Sequence, residues 1–392
     1  MITASLQQPQ LLTQCDEKLI PIVKKVRRGV RLSAEDGIAL YETMDLWSVC
    51  ALAHEVRQSM HGNIAYYNIN RHINYTNICA LSCKFCDFHR KKEQDGAYEH
   101  SLSDIAKEAL LAKESGATEL HIVGGLHPWL PFSYYTEMLE AIKEVAPNIH
   151  IKAFTAVEIV HLARISKRGK GGREGIASVI QDLKHSGLGS LPGGGAEVFD
   201  DRVHDDIFKG KIRGEQWMDV HRVAHEQGLN SNATMLYGHI ETREDRISHM
   251  MQIREEQDRA LEEISQGRFQ TFIPLPFIPG SSELAHLPGP SGIENLRTLA
   301  ISRLMLDNIP HIKAFWIMQT LHMAQHMLEC GANDIDGTVV WYDITKVENS
   351  DTHQECTVQD LCRAIRDAGF IPVERDTLYR RVHREGIGWS AR

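Results

Sequence analysis

Beyond residue 70 the chain alternates short apolar runs with longer stretches in which apolar positions recur every three or four residues. The short runs are rich in Val, Ile, Leu and Phe and are bounded by Gly, Pro or Asn, the pattern of strands buried on both faces. Eight strands are predicted, at residues 72–79, 118–125, 150–156, 187–193, 230–238, 269–277, 311–318 and 334–340. Successive starts lie mostly about 30 to 45 residues apart, the length of a strand–helix repeat. The expected fold is α/β, a (β/α)8 barrel of the TIM type, with its site at the C-terminal ends of the strands. Ahead of the barrel, Ile38, Leu40, Leu46, Val49, Ala53 and Val56 predict a helix over residues 36–60, with Ser33 as its N-cap and Asp36 three residues on. After it, one amphipathic helix is predicted over Val358–Asp367. The expected organisation is a helical extension (1–70), the barrel (71–341) and a peripheral C-terminal cap (342–392).

Composition narrows the classes. Of 392 residues, 42% are hydrophobic and 24% charged, ordinary values for a globular chain with a large core. A net charge of −9 and a pI near 6.2 argue against a partner held through phosphate contacts. No apolar run approaches the roughly 20 residues that span a bilayer. The Gln-rich stretch from Met1 to Lys18 lacks a signal-peptide pattern, so a cytoplasmic protein is expected. Lys167-Arg168-Gly169-Lys170-Gly171-Gly172-Arg173 interrupts the rhythm and reads as a solvated loop insertion, with an anionic contact as the alternative.

The eight cysteines are too sparse for a disulfide scaffold, yet Cys79, Cys83 and Cys86 fall within eight residues, at the end of the first predicted barrel strand. The spacing C-x3-C-x2-C lets one loop wrap a four-iron cubane with each thiolate on a different iron. The next cysteine along the chain is Cys330, so one iron would keep an open position, as catalytic metal sites require. A zinc site completed by His89 and an electron-transfer cluster remain as alternatives. Phe85, just before the third cysteine, is placed to shield a cluster and pack on an adenine.

Other strand ends carry candidate chemistry. An open iron can be chelated by the amino and carboxylate groups of S-adenosylmethionine (SAM), and Gly124 and Gly125 let backbone approach such a ligand. Glu197, just past Gly193-Gly194-Gly195, is a candidate for ribose hydroxyls or an ammonium, and Lys211 and Arg213 for a carboxylate. Alternation sends Met235, Tyr237 and His239 to one face of the fifth strand, which is expected to line the cavity. Residues 272–280 read as an apolar wall. The pairs His221/His225 and His322/His326 have helical metal-site spacing, but Arg222 and Met323 stand where a zinc-protease motif needs Glu, so both are read as structural.

With these residues in view, the chain resembles the radical SAM superfamily, and within it the aminofutalosine synthase group. The resemblance spans residues 71–340. It rests on Thr76-Asn77-Ile78-Cys79, Cys83-Lys84-Phe85-Cys86, the segments 121–128, 152–156 and 191–197, and Gly331-Ala332-Asn333-Asp334. Several of these are shared with dehypoxanthine futalosine cyclase and the deazaflavin-cofactor synthases, which abstract hydrogen. The resemblance implies a [4Fe–4S] cluster on the three cysteines and SAM consumed as co-substrate. Its 5′-deoxyadenosyl radical would add to 3-[(1-carboxyvinyl)oxy]benzoate, with aryl migration and decarboxylation, giving 6-amino-6-deoxyfutalosine and methionine for menaquinone synthesis. A flavodoxin or ferredoxin-type reductant is implied. Arg71, His239, Arg243 and Lys313 are the candidates for the substrate carboxylates, His239 and Arg243 being taken as catalytic. A non-catalytic iron–sulfur or zinc module is the reading from another class.

Overall fold

A computed structural model of the chain describes residues 15–263, 266–339 and 355–392. Strand β1 (Ile64–Asn68) leads across Ile69 into β2 (Asn70–Ile73), the first of seven parallel strands that stand side by side in chain order. The others are β3 (Glu119–Ile122), β4 (His150–Ala153), β5 (Ser190–Leu191), β6 (Asn230–Tyr237), β7 (Phe269–Pro276) and β8 (His311–Ile312). Helices such as Leu102–Glu114, Phe132–Val145, Gly214–Glu226 and Gly292–Met305 alternate with the strands and bury their apolar faces on the outside of the sheet. The curled α/β sheet is a TIM-type partial barrel.

The eighth strand departs from expectation. β9 (Asp334–Gly337) is not part of the seven-stranded ladder; it pairs with β1, which also pairs with β10 (Ile371–Glu374). It meets β8 through a single Lys313–Asp334 bridge, where Ala314 N donates to Asp334 O at 2.8 Å. Asp336 sits at φ 70°, a left-handed conformation that bends this segment out of a regular ladder. Because β1 runs on into β2, β9 spans the remaining gap in the wall. The end of the expected strand, Val340, lies outside the described residues.

Most strands stop short of their predicted C-terminal limits. Residues 74–79 leave the ladder to form the cysteine loop, and β8 gives way to the helix Trp316–Gln319. These departures create the loops at one end of the barrel on which a site can be built.

The expected helix over 36–60 is two, Ala34–Glu42 and Leu46–His61. Asp45 starts the second by accepting Ser48 N at 3.1 Å, while Ser33 and Asp36 form the anticipated capping box of the first. Both pack on the helices around β6 to β8: Tyr41 Oη of the first lies 3.3 Å from Thr298 Oγ1, and Met60 Sδ of the second 3.4 Å from Arg303 Nη1. The expected boundary at residue 70 falls inside the β1–β2 path, so the purely helical part ends near His61.

The C-terminal segment is not peripheral. Its described part begins at residue 355, so the expected boundary at 341/342 lies outside the described residues. After the anticipated helix Val358–Asp367 and β10, Arg375 and Tyr379 enter the barrel from the N-terminal ends of the strands. The Tyr379 ring stacks on His311 at 3.6 Å, and Gln270 Nε2 donates to Thr377 O at 2.9 Å. The chain closes with the hairpin β11 (Val382–Glu385) and β12 (Gly388–Ala391). The basic 167–173 segment is a short connection whose charges pair locally, Arg168 with Asp182 at 2.6 Å and Arg173 with Asp219 at 2.9 Å. Among the described residues no helix is long and apolar enough to cross a membrane.

Candidate active site

Past β2 the chain enters a loop pinned on both sides. Thr76 and Ile78 form bridges to Glu99 and Arg90, Cys79 N donates to Arg90 O at 3.0 Å, and Ala80 N to Leu126 O at 2.9 Å. Lys91 Nζ donates to the carbonyls of Cys79 and Leu81, 2.9 Å each. Held this way, Cys79, Cys83 and Cys86 line one cavity of about 300 Å³ at the C-terminal ends of the strands. Burial pushes the Cys83 thiol up to about 11 and raises Cys86, so a bound metal has to displace their protons. The backbone N–H groups of Leu81 and Leu126 each lie 3.4 Å from Cys79 Sγ.

The loops after β3 and β5 complete the rim. A Cβ on Gly125 would stand 2.3 Å from Ile78 O, so glycine is required for the β3 loop to pack against the cysteine loop. Gly124 N donates to Glu158 Oε1 at 3.0 Å, and Tyr75 Oη to the same oxygen at 2.9 Å. Gly195, at φ 89°, turns the β5 loop so that Glu197 faces the cavity, hydrogen-bonded to the buried ammonium of Lys211. Burial would lower that ammonium, but the Glu197 carboxylate and the Cys83 sulfur outweigh it and raise Lys211. Lys211 Nζ also lies 5.2 Å from the centre of the Phe85 ring.

Beneath the rim the interior turns polar. Lys152 Nζ donates to Glu119 Oε1 at 2.7 Å and Lys313 Nζ to Asp336 Oδ1 at 3.1 Å. The His72 and His121 rings lie with centres 4.5 Å apart, tilted by 38°, and burial drives both toward the neutral form, His72 to about 4. One wall is apolar, built from Ile273, Leu275 and Phe277, within the segment expected to form one.

Residues 73–253 match the family description Radical SAM superfamily, and residues 266–385 match the CofH/MqnC C-terminal region. The chain is 43% identical over 371 residues to aminodeoxyfutalosine synthase of Thermus thermophilus, covering 94% of this chain and 96% of that one. The chain belongs to the radical SAM superfamily. It is also 35% identical over 349 residues to the 5-amino-6-(D-ribitylamino)uracil–L-tyrosine 4-hydroxyphenyl transferase of Methanopyrus kandleri, covering 88% and 91% of the two chains. Among solved structures, methylornithine synthase superposes with a TM-score of 0.70 at 16% identity, over 90% of this chain and 97% of that one, a likeness of fold.

This radical SAM enzyme therefore uses a [4Fe–4S] cluster and SAM, and its loop fits them. Among the described residues no fourth cysteine lines the cavity. A zinc centre on this loop would need His89 as its fourth donor. His89, the candidate fourth zinc ligand, has Nδ1 2.9 Å from Cys86 O. A cubane instead needs thiols spread around a larger body, each on its own iron.

The radical SAM barrel brings together Phe85, Gly124, Gly125, Glu197, Lys211 and Lys313 with the three cysteines. It leaves four candidates outside the cavity lining. Arg213 is on the surface, 2.6 Å from Asp205 and also paired with Asp201, because its side chain points away from the loop that buries Lys211. Arg243 opens the helix Arg243–Glu263, half exposed, 3.6 Å from Glu294. Arg71 faces outward to Glu108 at 2.6 Å. The His239 side chain is buried at the β6 turn, 3.0 Å from Glu241 and 3.1 Å from Leu236 O, where it holds the turn.

The phase of β6 is the reverse of the expected one: Asn232, Thr234 and Leu236 face the cavity, while Tyr237 reaches outward to Asn295 at 2.8 Å. A strand buried on both faces carries no polarity signal to set its phase. Lys152, Glu158, His121, Asn232 and Asp336 also line the cavity without having been singled out. For Glu158 a local signal existed, since Thr155-x-x-Glu158 is a capping box. His221 and His225 share Ser231 Oγ, 2.8 Å from each ring, and His322 and His326 are exposed.

Proposed function

We propose that this enzyme joins the 5′-deoxyadenosyl group of SAM to 3-[(1-carboxyvinyl)oxy]benzoate, with aryl migration and decarboxylation, giving 6-amino-6-deoxyfutalosine and methionine for menaquinone synthesis. The observation that carries this reading is the 43% identity, over 94% of the chain, to a relative named for that reaction, against 35% for the tyrosine-using relative. The bound cluster supplies the electron that cleaves the sulfonium.

The chain's own residues bind, orient and exclude water. Cys79, Cys83 and Cys86 hold the cluster. Gly124 and Gly125 offer backbone to the methionine ammonium, and Glu197 with Lys211 faces the polar groups of the nucleoside and the carboxylate. Phe85 on one side, and Ile273, Leu275 and Phe277 on the other, form the apolar slot that a flat aryl group and a reactive carbon centre require. A flavodoxin or ferredoxin-type reductant and a cytoplasmic setting complete the reading.

The test is anaerobic: reconstituted enzyme, dithionite, SAM and the enolpyruvyl benzoate, with the products read by mass spectrometry. An adenosylated adduct supports the reading. Accumulation of 5′-deoxyadenosine without adduct, or turnover of tyrosine with a diaminouracil instead, sinks it.

A further inference from the structure

The cavity's floor differs in kind from its walls. Two ammoniums are presented there, from Lys152 at the end of β4 and Lys313 just past β8, each about 97 to 98% buried in the folded chain. Each has three N–H donors, and the contacts to Glu119 and Asp336 use one apiece. Glu119 is wholly buried behind the lining, so of the two acids only Asp336 faces the cavity with the lysines.

A third donor joins them from β6. Asn232 lines the same floor, and its Oδ1 accepts Gln270 Nε2 at 3.1 Å. Gln270 is itself held by its contact with Thr377 O at 2.9 Å. With its oxygen committed, the NH2 group is what Asn232 has left to offer a ligand. Structure alone gives little reason for such a floor, because apolar replacements of buried ion pairs are often neutral or stabilising.

We propose that Lys152, Lys313 and Asn232 form a receptor for a carboxylate of the second substrate. Two ammoniums and a carboxamide lining one cavity match a carboxylate's two acceptor oxygens. A carboxylate anchored there lays the apolar part of its molecule along Ile273 and Leu275 and leaves its other end toward the cysteine loop. This inference rests on the proposed reaction, whose substrate carries two carboxylates, and assigns one of them to the floor.

The experiment is calorimetric titration of cluster-loaded enzyme, with SAM and without reductant, by the enolpyruvyl benzoate and by its bis-carboxamide. The wild-type enzyme is expected to bind the acid at least about tenfold more tightly than the amide. Two variants should lower that ratio at least about fivefold. Asn232→Asp keeps a partner for Gln270 but sets a negative charge on the floor. The double variant Glu119→Gln/Lys152→Met removes an ammonium without stranding a buried carboxylate. Iron content and melting temperature report whether each folds. Equal binding of acid and amide by the wild type overturns the proposal, as does a preference left unchanged in either folded variant. Turnover separates this inference from the reaction. Adduct formation without acid selectivity removes the floor and keeps the reaction, whereas selective binding without adduct keeps the floor and removes the reaction.

Discussion

Glu158 accepts the backbone N–H of Gly124 at 3.0 Å, and with the same oxygen the hydroxyl of Tyr75 at 2.9 Å; its other oxygen takes Thr155 N at 2.8 Å. One buried carboxyl thus ties the approach to Cys79, the loop after β3 and the start of the helix Ala156–Ile165. Glu158→Gln would place an NH2 group among these converging donors. A loss of about 1–3 kcal/mol in stability is expected, with a raised KM for SAM because the Gly124 loop loosens. Burial also pushes the Glu158 carboxyl up from 4.5 to about 7. A folded pKa above the unfolded one means that the stabilisation is full below about pH 4.5 and is lost as pH rises through about 7. The melting temperature of the wild type should therefore fall between about pH 4.5 and pH 7 more steeply than that of Glu158→Gln. Parallel pH profiles of the two would contradict this.

Serine at Cys79, Cys83 or Cys86 should each abolish stable cluster assembly, since every thiol serves its own iron. Iron and sulfide analysis is expected to give about four of each per wild-type chain and far less in the variants. His89→Ala should keep the full iron content, because the proposed site leaves the fourth iron to SAM and not to a side chain. Loss of metal on removing His89, with zinc in the wild type, would restore the zinc reading.

Arg375 Nε donates to Asp334 Oδ2 at 2.5 Å in the barrel interior, both residues being buried. Burial opposes the Asp334 charge, but Arg375 and Lys313 outweigh it and hold the carboxyl down at about 2. Arg375→Met leaves that charge stranded and should cost about 3–5 kcal/mol in thermal or denaturant unfolding. Asp334→Asn in the same chain should recover much of the loss. In the wild type this pair contributes above about pH 3.8 and its contribution disappears as pH falls through about 2, so the stability gap between wild type and Arg375→Met should narrow on acidification.

Arg213→Ala and Arg243→Ala should leave the KM values for SAM and for the benzoate within about twofold of wild type, and stability within about 0.5 kcal/mol, because both side chains sit half exposed outside the cavity. A tenfold rise in either KM would return that arginine to the site.

The gathering of Cys79, Cys83 and Cys86 at one cavity was legible because it is local: three thiols within eight residues fall in one loop whatever the rest of the chain does. The order of β2 to β8 was legible for a related reason, since successive strand–helix units set neighbours side by side. Lys211 and Arg213 show where this stops. Two residues apart and alike in charge, one is buried against Glu197 and the other pairs with surface acids. The chain's own pattern holds nothing to separate them.

Taken by itself, the amino-acid sequence determined the cluster loop, the α/β repeat and the superfamily, all of which depend on spacing along the chain. Tertiary structure alone decided the facing of β6, the pairing of β9 with β1, and the cavity that Lys152, Lys313 and Asn232 line together. The three floor residues come from strands far apart in the chain, and which side of each strand turns inward is set by curvature and packing around the whole barrel. Strands apolar on both faces carry no local record of that choice.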